Sequence, residues 1–299
     1  MRSVVSAVCA AALLTAASAL GTAAAQADPV PEGTPVVVLG DSYTANGWDP
    51  FTLGDVCVRG ATAWPAQLGR LIGSEGQVAN PSCSGGTIDS GPGYTLTHEV
   101  LQADREGAFG PATRLVTLQL GLDDHWGETE QTLWYGLQQC VFDLIRGCDL
   151  DAVEQGRYPD LRGVTGTSYA ERIRAAITYI RYYAPAARVV IMGYPEVLVP
   201  GTDTACVSIL GVAPFVQPRA GAVVEYFDRM DRAQREAAQL LGLEFFDARA
   251  LTAGHGLCSA EPWINGLFDW RTDIAGLPLH PSARGDAVVA NALYDRYLR

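Results

Sequence analysis

The chain has 299 residues and a net charge of −12, and every one of its 21 basic residues is arginine. An acidic balance of that size opposes binding to nucleic acid or to anionic lipid surfaces. The absence of lysine excludes Schiff-base chemistry, a phosphate-loop lysine and a Ser-Lys dyad.

Residues 1–27 carry Arg2, an apolar Ala/Val/Leu run over 4–20 and the small-residue sequence Ala25-Gln26-Ala27, the pattern of a secretory signal cleaved after Ala27. The run is short, alanine-rich and interrupted by Ser and Thr, which argues against a membrane anchor. Residues 28–299 are ample for one domain with a sizeable core. The expectation is an extracellular protein.

Apolar runs of strand character follow at Pro35–Leu39, Gln77–Ala79, Leu115–Leu120, Arg188–Met192 and Leu243–Phe246. Helical stripes lie between and after them: Tyr169–Tyr183, with apolar residues at 173, 176, 177 and 180, then Gly221–Leu241 and Arg284–Leu298. This alternation predicts an α/β fold, a parallel five-stranded sheet covered by helices on both faces as a three-layer sandwich. In such a sheet the ligand crevice lies beyond the carboxyl ends of the strands. Two stretches break the alternation, 128–166 with Cys140 and Cys148, and 200–218 with Cys206. Both read as disulfide-pinned insertions, serving either as a pocket rim or as purely structural loops.

Beyond the signal the cysteines are Cys57, Cys83, Cys140, Cys148, Cys206 and Cys258, an even set in an oxidising compartment. Spacing favours consecutive pairing, 57 to 83, 140 to 148 and 206 to 258, and each bridge contributes about 2–4 kcal/mol by restricting the unfolded chain. No CxxC occurs and no His stands at ligand spacing from a Cys pair, so no metal site is expected.

Directly after the first strand comes Gly40-Asp41-Ser42. Position alone favours a helix-capping serine. The wider run Val36-Val37-Val38-Leu39-Gly40-Asp41-Ser42-Tyr43, however, resembles the first block of the SGNH (GDSL) hydrolases. Further blocks extend the resemblance over nearly all of the chain after the signal: Ser82-Cys83-Ser84-Gly85, Val190-Ile191-Met192-Gly193-Tyr194-Pro195, His255-Gly256-Leu257-Cys258 and His280-Pro281. The likeness is greatest to the secreted actinobacterial esterases and lipases with three disulfides. No GxSxG elbow occurs, which disfavours the α/β-hydrolase fold.

The resemblance implies a flavodoxin-like sandwich and a cofactor-free, monomeric serine esterase acting on small-molecule, lipid or glycan esters. It makes Ser42 the nucleophile, His280 the general base and acid, and the Gly85 N–H an oxyanion donor. It also exposes two departures. The third-block pattern Gly-x-Asn-Asp reads Gly121-Leu122-Asp123-Asp124, so a carboxyl replaces the amide that donates to the oxyanion. An ionised carboxylate only accepts hydrogen bonds and opposes a negative oxygen. For Asp123 to donate at pH 7 its pKa must rise by about 3 from about 3.9, roughly 4 kcal/mol, which implies an acid-side activity optimum. Protonated Asp as an oxyanion donor is the handling seen in ketosteroid isomerase.

The second departure is Leu277, where the family's triad acid stands three residues before the histidine. The resemblance assigns the imidazole-orienting role to the Leu277 backbone carbonyl, with Asp273 as reserve acid. The other histidines, His98, His125 and His255, read as surface or structural residues, and Trp64, Trp126, Trp134 and Trp263 as core or rim packing rather than an acyl or glycan surface. Two other readings compete: a deacylase of cell-envelope glycan or lipid, and a degenerate binding protein using the same crevice.

Overall fold

The computed structural model describes residues 31–49, 57–91, 93–128 and 131–299, and of these the side chains at 134, 135, 138 and 139 are left aside. The signal segment with its cleavage point, and the side chain of Trp134, therefore lie outside the described residues.

Five short strands build one parallel sheet: β1 (Val36–Gly40), β2 (Val78–Ala79), β3 (Leu115–Gln119), β4 (Arg188–Met192) and, after an intervening hairpin, β7 (Glu244–Phe246). The spatial order is β2-β1-β3-β4-β7 and every pairing is parallel. Counted within the sheet this is the flavodoxin-like order 2-1-3-4-5, whose switch point falls between β1 and β3. Side chains of a strand alternate between faces, and here both faces are buried. Val37, Leu39, Val116, Leu118 and Ile191 enter one apolar core, while Val36, Val38, Leu115, Val190 and Met192 enter the other. Each such side chain removed from water contributes about 1.5–3 kcal/mol. That double burial is why these strands read as continuous apolar runs rather than alternating ones.

The helices are α1 (Ser42–Ala45), α2 (Trp64–Leu71), α3 (Leu96–Arg105), α4 (Leu133–Cys140), α5 (Asp151–Glu154), α6 (Gly166–Tyr183), α7 (Gly221–Leu241), α8 (Ala248–Leu251) and α9 (Ala283–Leu293). The pair α6 and α7 packs together, as does the pair α2 and α9. The first pair contributes to the larger core and the second to the smaller, which makes the three-layer sandwich. The α6 helix begins three residues before the predicted start because Thr165 caps it, its hydroxyl accepting the Ser168 N–H at 3.1 Å. The last predicted helix ends as α at Leu293, and Tyr294–Leu298 continue as a π-helical turn.

The 200–218 stretch is not a plain loop. It forms an antiparallel hairpin, β5 (Ala205–Ile209) with β6 (Ala213–Gln217), turning through Leu210 and Gly211, both at positive φ. The 128–166 stretch contains α4 and α5. Disulfides join Cys57 to Cys83, Cys140 to Cys148 and Cys206 to Cys258, the consecutive pairing expected from spacing.

Candidate active site

The chain leaves β1 at Gly40 and turns at once into α1. Asp41 caps that helix, its carboxylate accepting the Tyr43 N–H at 2.9 Å, and its own N–H is held by the Gln119 carbonyl of β3 at 3.0 Å. Ser42 thus sits at the first helical position, beside the β1/β3 switch point, and is buried. The His280 ring meets it from the other end of the chain, with Nε2 2.8 Å from the Ser42 hydroxyl oxygen. That distance lies within hydrogen-bond reach.

His280 rides on an irregular segment rather than on a helix or strand. Leu277, Pro278, Leu279 and His280 make a turn closed by the His280 N–H to the Leu277 carbonyl at 3.2 Å. Proline at the second position and a left-handed third residue, Leu279 at φ +68°, match a type II turn. In that turn type the central peptide is flipped, so the Pro278 carbonyl faces the ring and lies 2.9 Å from Nδ1. This corrects the expectation for Leu277. Its carbonyl is committed to closing the turn, and the orienting acceptor is one residue later. Asp273 is engaged elsewhere, with Oδ2 accepting the Ala283 N–H at 2.6 Å.

A left-handed leucine costs about 1–2 kcal/mol, and three side chains hold the segment in place. The Tyr43 hydroxyl donates to the Leu279 carbonyl at 2.9 Å, and its ring lies against the imidazole with centroids 4.4 Å apart. Asn46 donates to the Pro281 carbonyl at 2.8 Å and to Asp286 at 2.6 Å. Asn265 donates to the same Pro281 carbonyl, and its backbone exchanges hydrogen bonds with Leu279 and His280. Burial pushes the His280 pKa down to about 4, with the bond to Pro278 opposing the shift. The imidazole is therefore neutral over the whole range above that pH.

The segment after β2 is drawn to the same place, the Cys83 N–H donating to the Gly40 carbonyl at 3.0 Å. Gly85 follows at φ +76°, a conformation that favours glycine, with open space where a Cβ would stand. Backbone angle, not crowding, is what asks for glycine there. Asp123, in the loop after β3, is buried and close enough that its charge raises the pKa of Asp41, although burial of Asp41 is the larger cause. Tyr194, after β4, donates its hydroxyl to Asp41 and accepts the Leu122 N–H at 3.4 Å. The ends of β1, β3 and β4 are thereby tied into one rim.

A model of the GDSL-like Lipase/Acylhydrolase family matches residues 38–288, the span from inside β1 to inside α9. The chain belongs to this family. This GDSL hydrolase is a carboxylic ester hydrolase. It is 28% identical to Lipase 2 of Streptomyces coelicolor over 304 residues, covering 95% of this chain and 94% of that protein. It is likewise 28% identical to an esterase of Streptomyces scabiei over 327 residues, 95% of this chain and 90% of the relative. Among solved structures, phospholipase A1 from Streptomyces albidoflavus NA297 shares the fold at TM-score 0.61 and 22% identity, covering 88% of this chain and 99% of the other.

Other charged groups of the GDSL hydrolase rim serve its architecture. Asp124, fully buried, accepts the Ile88 N–H at 2.9 Å and the Ser90 hydroxyl at 2.9 Å, and pairs with Arg172 of α6. Arg172 also lies over the Trp126 ring at 4.3 Å, so one guanidinium ties the loops after β2 and β3 to the helical layer. At the end of β1, Glu99 of α3 accepts the Gly40 N–H at 2.8 Å, its pKa raised well above the ordinary carboxylate range by burial.

His98 is exposed on α3, His125 binds Ser90 through its backbone, and His255 stacks on Trp263 at 3.6 Å. Trp64 and Trp126 are core residues. Tyr43 and Tyr194 fall within the family-like blocks, but nothing in the sequence assigns them, or Asn46 and Asn265, the hydrogen bonds they make here. The Pro278–His280 spacing is the one local signal of a turn.

Proposed function

We propose that the protein is an exported serine esterase in which Ser42 is the nucleophile and His280 its general base and acid. The observation that carries this reading is the 2.8 Å approach of Nε2 to the Ser42 oxygen with the opposite ring nitrogen on a carbonyl. The Pro278 carbonyl accepts a hydrogen bond from Nδ1–H and so favours the tautomer that leaves Nε2 free of hydrogen. Ser42 then attacks the ester carbonyl while its proton passes to Nε2. The acyl C–O bond breaks, and the proton moves from Nε2 to the departing alcohol oxygen. Water repeats the sequence, giving its proton to Nε2 and its oxygen to the acyl carbon, which releases the acid and restores Ser42.

The negative oxygen of each tetrahedral intermediate sits, in this reading, among the Ser42 and Gly85 backbone N–H groups and the Asp123 side chain. Asp123 donates in its protonated form. What supports this is only its nearness to the buried Asp41, whose pKa is raised first by burial and then by the Asp123 charge, so that two ionised carboxyls there repel each other. A neutral carbonyl behind the imidazole orients it without stabilising imidazolium by charge, so the base is weaker than a full triad's.

Residues 1–27 are, on this proposal, an export signal cut after Ala27, and residues 28–299 act as a single monomeric domain in which 128–166 and 200–218 are insertions. The three disulfides support an oxidising destination. Among the described residues no helix is long and apolar enough to cross a membrane. N-terminal sequencing and the elution volume of the exported protein test these points.

A fluorophosphonate probe tests the chemistry. Covalent labelling at Ser42, abolished in Ser42→Ala, together with hydrolysis of p-nitrophenyl esters is the expected result. A folded protein that takes no label is a binding protein on this scaffold, and the proposal fails.

A further inference from the structure

We infer that a groove of about 430 Å3 beside His280 receives the alcohol half of the ester, and that it takes a neutral, hydroxyl-rich alcohol such as a sugar or polyol. The inference rests on the Ser-His reading and names the substrate class of that site. In that reaction the imidazole returns its proton to the departing oxygen, so the alcohol has to lie on the imidazole side of the reacting carbon.

The groove adjoins the segment that carries the imidazole, while the His280 ring and Ser42 are not themselves among its described lining residues. Leu277 and Pro281, which bracket His280, form part of its wall. So does Asn46, the residue that ends α1 and binds the Pro281 carbonyl. Gly85 and Asp123, at the oxyanion positions, are not among its lining residues. Its volume falls within the range of about 300–1,000 Å3 that small-molecule sites occupy.

The lining chooses the class. Trp48 is 55% exposed, and an indole face open to a groove is a platform for the C–H face of a sugar ring. Thr62 and Asp273 add a hydroxyl and a carboxyl as partners for alcohol hydroxyls. Asp273 is the one charged side chain among the described lining residues, and it is acidic. Arg59, the neighbour of Gly60, turns its Nε to the Ser82 carbonyl at 3.0 Å. Among the described lining residues there is no arginine or lysine that would recognise a phosphate-bearing alcohol. A second cavity, lined by Tyr43, Val207, Phe227 and Leu279 among other largely apolar side chains, presents the opposite chemistry and does not suit a polyol.

The test compares three butyrate esters on the full-length exported protein: those of ethanol, of glucose at its primary hydroxyl, and of glycerol 3-phosphate. Released butyrate gives kcat/KM for each. The expected order is glucose above ethanol by about tenfold and glycerol phosphate below both. Trp48→Ala is expected to lower the glucose-to-ethanol ratio by roughly tenfold, and Asp273→Asn to raise the glycerol phosphate-to-glucose ratio about threefold. Equal kcat/KM for the ethyl and glucose esters, or a Trp48→Ala variant with an unchanged ratio, overturns the groove assignment while leaving the Ser-His reading intact. A preference for the glycerol phosphate ester overturns the neutral-alcohol class. Failure to cleave any of the three by a protein whose Ser42 takes the fluorophosphonate label overturns the groove assignment. The same failure without labelling overturns the Ser-His reading beneath it.

Discussion

The two partners at the rim are positioned by different means. Ser42 is placed by the sheet: β1 is buried on both faces, its end is clamped by Gln119 and Glu99, and a four-residue helix starts two residues later. His280 is placed by side chains, since Tyr43, Asn46 and Asn265 hold a turn that contains a left-handed leucine. A position fixed by strand pairing survives the loss of any single contact. A position fixed by three hydrogen bonds against local strain does not.

The largest effects come from removing the partners themselves. Ser42→Ala and His280→Ala are each expected to lower kcat by about 10⁴- to 10⁶-fold. Under the contrast drawn above, the thermal midpoint of Ser42→Ala stays near that of the parent. Calorimetry beside single-turnover kinetics checks both. A Ser42→Ala protein that unfolds many degrees lower would erase the difference between the two halves.

Asp123→Asn follows. An amide donates at every pH, so the variant is expected to gain up to about 10²-fold in kcat above neutral pH and to lose the acid-side optimum. A pH–rate profile and rate indistinguishable from the parent's would remove Asp123 from the oxyanion position.

Acidification acts on the histidine half. With its folded pKa lowered to about 4, His280 remains neutral in the native protein well below the ordinary 6.5. The kcat/KM of the free enzyme is therefore expected to hold down to about pH 5 and to fall tenfold per pH unit below about 4. The same shift sets a stability window. The unfolded chain binds a proton at its ordinary pKa and the native protein does not, so this contribution is fully present above 6.5 and is lost as pH falls towards 4. An apparent kinetic pKa of 6.5 would show that the ring is not held in a dry site.

The smallest change is the most direct on the contrast. Tyr43→Phe deletes one hydroxyl and leaves the Leu279 carbonyl without that donor, a loss of about 1 kcal/mol. It is expected to lower kcat by about tenfold at unchanged KM, because the turn and its imidazole are released together. Asn265→Ala should do the same with a larger fall in thermal midpoint, since its buried partners lose their hydrogen bonds. Unchanged kcat in both variants means the turn holds itself.

What was legible in the sequence divides along the same line. Strands buried on both faces leave apolar runs, so the sheet and its helical layers could be read from residue order, whereas the serine after β1 reads by position as a helix cap and stands out only through the family resemblance. The helices α2 and α3 were not anticipated, and the β5–β6 hairpin was folded into an unassigned insertion, because short amphipathic segments beside Gly and Pro carry weak periodicity. The histidine emerged only through the family resemblance. Its carbonyl partner was displaced by one residue, because a left-handed leucine has no signature in composition: tertiary hydrogen bonds from residues over two hundred positions away impose it. The Asn-to-Asp departure at Asp123 was visible at once, whereas its nearness to Asp41 needed the fold.

The 238-position span between Ser42 and His280 has a bearing on biogenesis. Under the proposed mechanism, a polypeptide interrupted anywhere between Ser42 and His280 carries its nucleophile without a base and is inert. Hydrolytic competence is thus withheld through most of translation and transit, and arrives only when the distal turn docks under Tyr43 and Asn46.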